Sequence, residues 1–308
     1  MNFSFTTLGT ASALPIANRY PSAHVLNIRE RLFLIDCGEG TQLQMRKYDI
    51  PLTKIENIFI SHLHGDHLFG LFGLLSTYGL MNRLAPLYIY GPKGLGQILE
   101  FFNLHFAEGV KYEIIFTPLS CQSPEMIHST NNLEIYSFPL RHRGETYGFL
   151  FREKEPMLNV KRELIEEHAL TLREIGSLKQ GEDYIREDGT ILSAAEFAYK
   201  PWQPRSFAYC SDTAPFADLA KWVSGVDLLY HEATFADDLK ELAKKTLHST
   251  ATDAAMCAKE AGAGKLVIGH YSSRYRNRSI LCQQAREIFP NTHSAEEGKV
   301  FEVPLIKF

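Results

Sequence analysis

Four potential metal ligands fall within six residues in the run Ser61-His62-Leu63-His64-Gly65-Asp66-His67. The apolar segment Ile55–Ile60 precedes it and the helix-patterned segment Leu68–Tyr78 follows, so the ligands sit on a tight loop between a buried strand and a helix. Imidazole and carboxylate groups suit zinc in hydrolytic sites. The spacing separates His62 and His64 from Asp66 and His67, which lets two ions sit close together. A histidine cluster on an exposed loop is the plain alternative, and the strand–loop–helix setting argues against it.

Other potential ligands also stand at strand ends. Leu133–Leu140 runs into His142, Ser206–Cys210 into Asp212, Asp227–Tyr230 into His231 and Glu232, and Lys265–Ile268 into His270. Apolar strands pack inside, so polar residues at their ends collect along one rim. Further strands are read at Phe3–Leu8, which alternates, at Val25–Ile35, a hairpin around Arg29-Glu30-Arg31, and at Leu87–Tyr90 and Tyr112–Phe116. Helical patterns recur at Leu95–Leu104, Phe216–Val223, Thr250–Ala261 and Ser279–Phe289. The mixture predicts a layered α/β fold. Between Arg152 and Arg205 the rhythm breaks. This segment holds 9 Lys/Arg against 11 Asp/Glu, a helical stretch around Lys161–Ile175, and turns at Gly181-Glu182-Asp183 and Glu187-Asp188-Gly189. It reads as an arm inserted into a single domain spanning residues 1–308.

His-x-His-x-Asp-His is the signature of the metallo-β-lactamase superfamily, and the chain resembles its ribonuclease Z branch, the tRNA 3′-processing endonucleases. Seven further segments carry the resemblance, in order. They are Gly9-Thr10-Ala11-Ser12-Ala13-Leu14-Pro15, Asp36-Cys37-Gly38-Glu39-Gly40-Thr41-Gln42, Pro139-Leu140-Arg141-His142 with Tyr147-Gly148-Phe149, Tyr209-Cys210-Ser211-Asp212-Thr213, His231-Glu232-Ala233-Thr234-Phe235, His248-Ser249-Thr250, and His270-Tyr271-Ser272-Ser273-Arg274-Tyr275. The resemblance implies an αββα four-layer sandwich with an inserted arm. It implies two Zn2+ per subunit, or other divalent metals. One ion would be held by His62, His64 and His142, the other by Asp66, His67 and His270, with Asp212 bridging. It further implies that Asp66 also accepts the nucleophile's proton, that Arg274 binds substrate phosphate, and that the enzyme is a homodimer acting on precursor tRNA. The segment Arg152–Arg205 occupies the place of the family's tRNA-gripping arm and lacks that arm's Gly-Pro element.

The chemistry suited to such a site is in-line hydrolysis of a phosphodiester by a metal-activated water. The departing ribose oxygen needs a proton donor. His248 fits that role, oriented by Glu232, because a carboxylate partner fixes an imidazole's tautomer. Alone, Ser249, Thr250 or Thr252 would read as caps of the following helix, and Asp212 as a cap after its strand. Phosphodiesterases acting on small or cyclic diesters share the histidine core, as do glyoxalase-type thioesterases. A non-catalytic RNA-binding relative is the rival outside enzymes, and such proteins lose ligands that this chain retains.

Composition sets the frame. With 45% apolar and 22% charged residues and a formal charge of −4, the chain is an ordinary globular protein, so a nucleic-acid partner must be held by local basic patches. No apolar run is long enough to span a membrane. Five scattered cysteines, Cys37, Cys121, Cys210, Cys257 and Cys282, and an N-terminus without a signal-like pattern predict a cytoplasmic protein with reduced thiols.

Overall fold

The run Arg31–Cys37 is too apolar to leave either face wet, and every residue after Arg31 is buried. Ser206–Cys210 and Leu228–Glu232 are buried along their whole length. Strands of this kind need a covering layer on each side. The computed structural model, which describes residues 1–14 and 16–308, supplies both layers. Two seven-stranded sheets form among the described residues. The first runs Val300–Glu302, Phe3–Gly9, Ala23–Ile28, Arg31–Cys37, Ile55–Phe59, Leu87–Pro92 and Ile114–Leu119. The second runs Thr292–Ser294, Lys265–Gly269, Leu228–Glu232, Ser206–Cys210, Tyr147–Glu153, Leu133–Pro139 and Glu125–Ser129.

Aromatic side chains lock the sheets face to face. Phe5 meets Phe207 at 4.6 Å between ring centroids, Phe59 meets Phe149 edge-on at 5.3 Å, and Phe33 lies 5.6 Å from Phe151. Truncating a buried phenylalanine of this kind to alanine costs about 3–5 kcal/mol. The outer faces take helices. Leu71, Leu74, Leu75, Leu99 and Phe102 cluster with Leu34, Ile58 and Ile89 of the first sheet. The helix Ala251–Ala261 lays Ala251, Ala254, Ala255, Ala258 and Ala261 against Leu229, Leu266 and Ile268 of the second. Small side chains at that spacing bring its backbone close to the sheet. The result is the helix–sheet–sheet–helix sandwich expected of the metallo-β-lactamase fold.

Several elements differ from their sequence reading. Phe3–Gly9 does not alternate between wet and dry faces; Ser4 and Thr7 are buried with the phenylalanines because both faces are covered. The strand read at Tyr112–Phe116 begins at Ile114, since the Tyr112 hydroxyl turns away to donate to the Leu75 carbonyl. Tyr147–Glu153 and Glu125–Ser129 are strands that the motif-led reading passed over. Pro15, at the end of the first motif, lies outside the described residues.

Contacts divide the chain into two compact units. One holds residues 1–128, 135–151 and 206–303, and the other holds 129–134, 152–205 and 304–308. The second therefore gathers two short flanking segments besides the segment 152–205. It has its own small core of Leu170, Leu178, Leu192, Ala194 and Phe197. The helical stretch read at Lys161–Ile175 is two helices, Arg162–Glu167 and Leu172–Lys179. Ala169 breaks it with φ +47, and Thr171 restarts it through a capping box with Glu174.

Arg186 donates to Glu174 at 2.6 Å and, together with the Thr171 amide, holds that carboxyl at about 2. A carboxylate depressed on folding contributes stability above its unfolded value of about 4.3, and that contribution is lost as pH falls toward the folded value. Arg186→Ala should accordingly flatten the unit's acid sensitivity. Protease cleavage within residues 152–205, followed from pH 5 downward, checks this; identical profiles for the two proteins would refute it. Among the described residues no helix is long and apolar enough to cross a membrane.

Candidate metal centre

The loop after Ile55–Phe59 is held open by its neighbours. Gly70 packs against the Gly38 carbonyl so closely that a Cβ there would lie 2.0 Å from that oxygen. A larger residue at position 70 would push the acidic glycine loop away from the histidine loop. The Ser61 carbonyl accepts from the Tyr147 amide at 2.9 Å, which pins the same loop to the second sheet. Arg141 and Asp212 loops are tied in turn, with the Arg141 amide donating to Thr213 Oγ1 at 3.1 Å and the Ala214 amide to the Arg141 carbonyl at 2.8 Å.

These ties bring all seven sequence-read ligands together. His62, His64, His142 and Asp212 form one group whose ligand atoms lie within 4.8 Å of one another, and Asp66, His67 and His270 form a second. Asp212 stands between them. Its Oδ2 lies 3.5 Å from His62 Nε2 and 3.7 Å from His142 Nε2, while its Oδ1 lies 3.5 Å from His67 Nε2 and 3.2 Å from His270 Nδ1. Asp212, His248 and His270 make a third possible triad that overlaps both groups.

The donor set fits a divalent cation. His62 Nε2, His142 Nε2 and Asp212 Oδ1 are buried with no hydrogen-bond partner among the described residues. An unsatisfied buried polar atom costs about 1–3 kcal/mol, so the two imidazole nitrogens facing Asp212 Oδ2 and the Oδ1 facing the other histidine pair each call for a ligand of positive charge. Burial lowers the pKa of His62, His64 and His142, leaving neutral imidazoles, the form that binds metal. Burial also opposes charge on His67, yet the carboxylates of Asp212, Asp36 and Asp66 outweigh it and raise the ring to about 10. Burial would raise Asp66, and His67 and His270 instead keep it well below the usual carboxylate range. The three carboxylates that favour positive charge at His67 favour a divalent cation there equally, to which the neutral ring is the ligand.

Four non-glycine residues with left-handed backbone border the site: Ala13 at φ +54, Asp36 at φ +54, Leu247 at φ +58 and His270 at φ +60. Each costs on the order of 1–3 kcal/mol, and each aims a group at the centre. Asp36 Oδ2 bonds His67 Nδ1 at 2.8 Å, and the Leu247 carbonyl accepts from His142 Nδ1 at 2.8 Å. Asp36 also accepts from Tyr209 Oη at 2.6 Å and from the Ser61 amide at 2.7 Å. The sequence reading gave Asp36 no role, although its place before Cys37-Gly38 at a strand end was visible. Asp36→Asn should lower metal affinity by about 10–100-fold, the range for losing a partner that orients a metal-bound histidine. Titration of metal-free protein with zinc tests it, and an unchanged affinity would remove Asp36 from the site.

Beside the cluster lies the His248–Glu232 pair, at 2.9 Å between Nδ1 and Oε1. Glu232 is buried and also accepts from the Thr213, Ser249 and Thr234 amides and from the Thr234 hydroxyl. Burial disfavours charge on both partners, but each stabilises the other: His248 is raised to about 9 and Glu232 held at about 2. The capping alternative is also present, since Thr250 caps the next helix with Asp253 while His248 keeps its place before it. His231 turns from the cluster and bonds the Glu232 carbonyl at 2.7 Å. Arg274 is exposed and bonds Ser272 Oγ at 3.3 Å.

Known proteins share this layout. A family model described as anti-Pycsar protein Apyc1 matches residues 3–159, which end before Asp212, Glu232, His248 and His270. Ribonuclease Z of Phocaeicola vulgatus is 42% identical over 305 residues, 99% of each chain. Ribonuclease Z of Cytophaga hutchinsonii is 43% identical, covering 98% of this chain and 97% of that one. The crystal structure of human tRNase Z, short form, is similar with a TM-score of 0.70 and 28% identity over 98% of this chain and 99% of that one. Because these relatives match over the full length, through the last metal-site histidine, the chain belongs to the ribonuclease Z family of metallo-β-lactamase-fold endoribonucleases.

Proposed function

We propose that this enzyme removes the 3′ trailer from precursor tRNA by hydrolysis at a two-zinc centre. His62, His64 and His142 would hold one ion and Asp66, His67 and His270 the other, with Asp212 within reach of both groups. The observation that supports this most is the Asp212 carboxylate, each of whose oxygens faces a different histidine pair. When bound, the ions lower the pKa of the attacking water and neutralise phosphoryl oxygens. Asp66 is steadied by the Ala13 amide at 2.7 Å and takes the proton of that water. His248, held through Nδ1 by Glu232, offers its other nitrogen to the leaving ribose oxygen. Arg274 binds an RNA phosphate. The segment 152–205, with Lys154, Lys161, Arg162, Arg173 and Lys179 for phosphate contacts, serves as an arm for tRNA.

The reading extends to a cytoplasmic homodimer. Five free cysteines accord with a reducing compartment. Exposed Leu43, Phe69, Phe101 and Phe106 offer apolar surface for a second copy.

The test is to incubate precursor tRNA with the intact enzyme and with a variant in which a short linker replaces residues 152–205, mapping the cut by end labelling. The intact enzyme should cut at the 3′ side of the tRNA body and stop after chelation. The variant should keep hydrolysis of a nitrophenyl phosphodiester yet lose most tRNA cleavage, because remote contacts position so large a substrate. Hydrolysis of small diesters alone by the intact enzyme would instead favour a phosphodiesterase for small or cyclic substrates.

A further inference from the structure

Thr234 stands just past the buried strand Leu228–Glu232 and is itself buried. Its hydroxyl sits among three groups of the site. It donates to Glu232 Oε2 at 2.7 Å, and it lies 3.0 Å from His270 Nδ1 and 3.3 Å from His248 Nδ1. The backbone on either side keeps it there. The Thr234 amide donates to the same Glu232 oxygen at 2.9 Å, and the Thr234 carbonyl accepts from the Ser272 amide at 3.1 Å, close after His270. One side chain thus bonds a metal-site histidine and the carboxylate that holds His248.

The direction of these bonds follows from counting protons. A hydroxyl has one proton and two lone pairs, and a carboxylate only accepts, so the Thr234 proton goes to Glu232. Lone pairs are all that remain for the imidazoles, so His270 Nδ1 carries the hydrogen and donates to Thr234. Asp212 Oδ1 is 3.2 Å from the same nitrogen, yet it has no hydrogen-bond partner among the described residues, so that hydrogen points to Thr234 instead. A neutral ring protonated on Nδ1 has its lone pair on Nε2, and Nε2 faces His67 Nε2 at 3.1 Å and Asp66 Oδ2 at 3.4 Å. Ser61 repeats the arrangement in the other ligand group. Its Oγ donates to Asp36 Oδ2 at 2.9 Å and lies 3.0 Å from His62 Nδ1, which leaves the unpartnered His62 Nε2 facing Asp212.

We propose that Thr234 is a positioning residue whose single hydroxyl couples the metal position of Asp66, His67 and His270 to the His248–Glu232 pair. The inference rests on the two-zinc and proton-donor readings above. At one end the hydroxyl fixes the tautomer and ring orientation of His270, so that Nε2 is the nitrogen offered to the ion. A metal-bound histidine that loses the acceptor for its other ring nitrogen loses about 10–100-fold in metal affinity. At the other end the hydroxyl and the Thr234 amide together hold Glu232 Oε2, which keeps Oε1 turned to His248 at 2.9 Å. A methyl group in place of the hydroxyl is therefore felt at both ends.

The test sets Thr234→Val, which keeps the branched shape without the hydroxyl, beside Thr234→Ser, which keeps the hydroxyl. Thr234→Ala stands in should the valine variant not fold, and thermal unfolding of the metal-free proteins reports folding. Metal-free protein is titrated with zinc against a chelating dye, and precursor tRNA and a nitrophenyl diester are then cut at saturating zinc. Thr234→Val should bind one of its two ions about 10–100-fold more weakly, and Thr234→Ser should bind both as the wild type does. With the metal restored, Thr234→Val should still lose more on precursor tRNA than on the nitrophenyl diester, because only the ribose oxygen needs a proton to depart. Unchanged zinc affinity in a folded Thr234→Val, or a serine variant as weak as the valine one, overturns the tautomer role. Equal losses on the two substrates overturn the coupling to His248. A wild type that takes up fewer than two ions, or cuts the diester and no precursor, locates the failure in the underlying readings, and the inference falls with them.

Discussion

Asp212→Ala is expected to abolish phosphodiester hydrolysis, lowering turnover by more than about 10³-fold, and to strip the protein of at least one metal. Its carboxylate is the only group within reach of His62, His142, His67 and His270 at once among the described residues. Without it the two histidine groups face each other with no charge between them, and two cations held close together repel strongly in a buried site. Asp212→Asn separates shape from charge. The amide retains the side chain's volume and one acceptor oxygen but presents an NH2 group to the other histidine pair. It should therefore keep part of the metal and little of the activity. Metal content per chain, measured on protein purified without chelators, and nitrophenyl-diester hydrolysis report the two effects separately. Full occupancy in Asp212→Ala would show that the two groups bind metal independently and that Asp212 bridges nothing.

The site was legible largely because its residues stand at the ends of strands that periodicity reveals. Ile55–Phe59, Ser206–Cys210 and Lys265–Gly269 are apolar runs of the right length, and a histidine or aspartate follows each closely. What composition could not disclose was the support behind them. Asp36 meets His67 only because the chain turns through a left-handed residue and crosses from one strand end to another loop. No local pattern announces a contact between residues 31 positions apart. Tyr209, whose hydroxyl reaches Asp36 from the opposite sheet, is a more distant case. The helical reading of Lys161–Ile175 failed for a local reason. Its apolar spacing suited one helix, but Ala169 in a left-handed conformation and the Thr171–Glu174 capping box end one helix and start another.

His248→Ala is expected to lower precursor-tRNA cleavage by about 10²–10⁴-fold while leaving metal content unchanged, as befits loss of a general acid. The reason lies in the order of charge around Glu232. That carboxylate is buried, takes four donors besides His248, and cannot move toward the substrate itself. On the proton-donor reading its task is to favour the protonated form of His248, whose pKa burial lowers and the Glu232 carboxylate raises above the usual imidazole value. A ribose oxygen is a poor leaving group and needs that proton, whereas nitrophenolate departs without one. The substitution should therefore cost far less on a nitrophenyl diester than on RNA, and the ratio of the two losses is the signature of proton donation. His248→Gln removes the acid but keeps a hydrogen-bonding side chain, and it should resemble His248→Ala on RNA if proton transfer is what matters. The third triad, Asp212, His248 and His270, supplies the competing account, in which His248 is itself a metal ligand. Under that account metal content falls in His248→Ala and both substrates suffer alike. Measuring zinc per chain and the two rates in the same preparation decides between them, and equal losses on RNA and on the nitrophenyl diester would refute the proton-donor role.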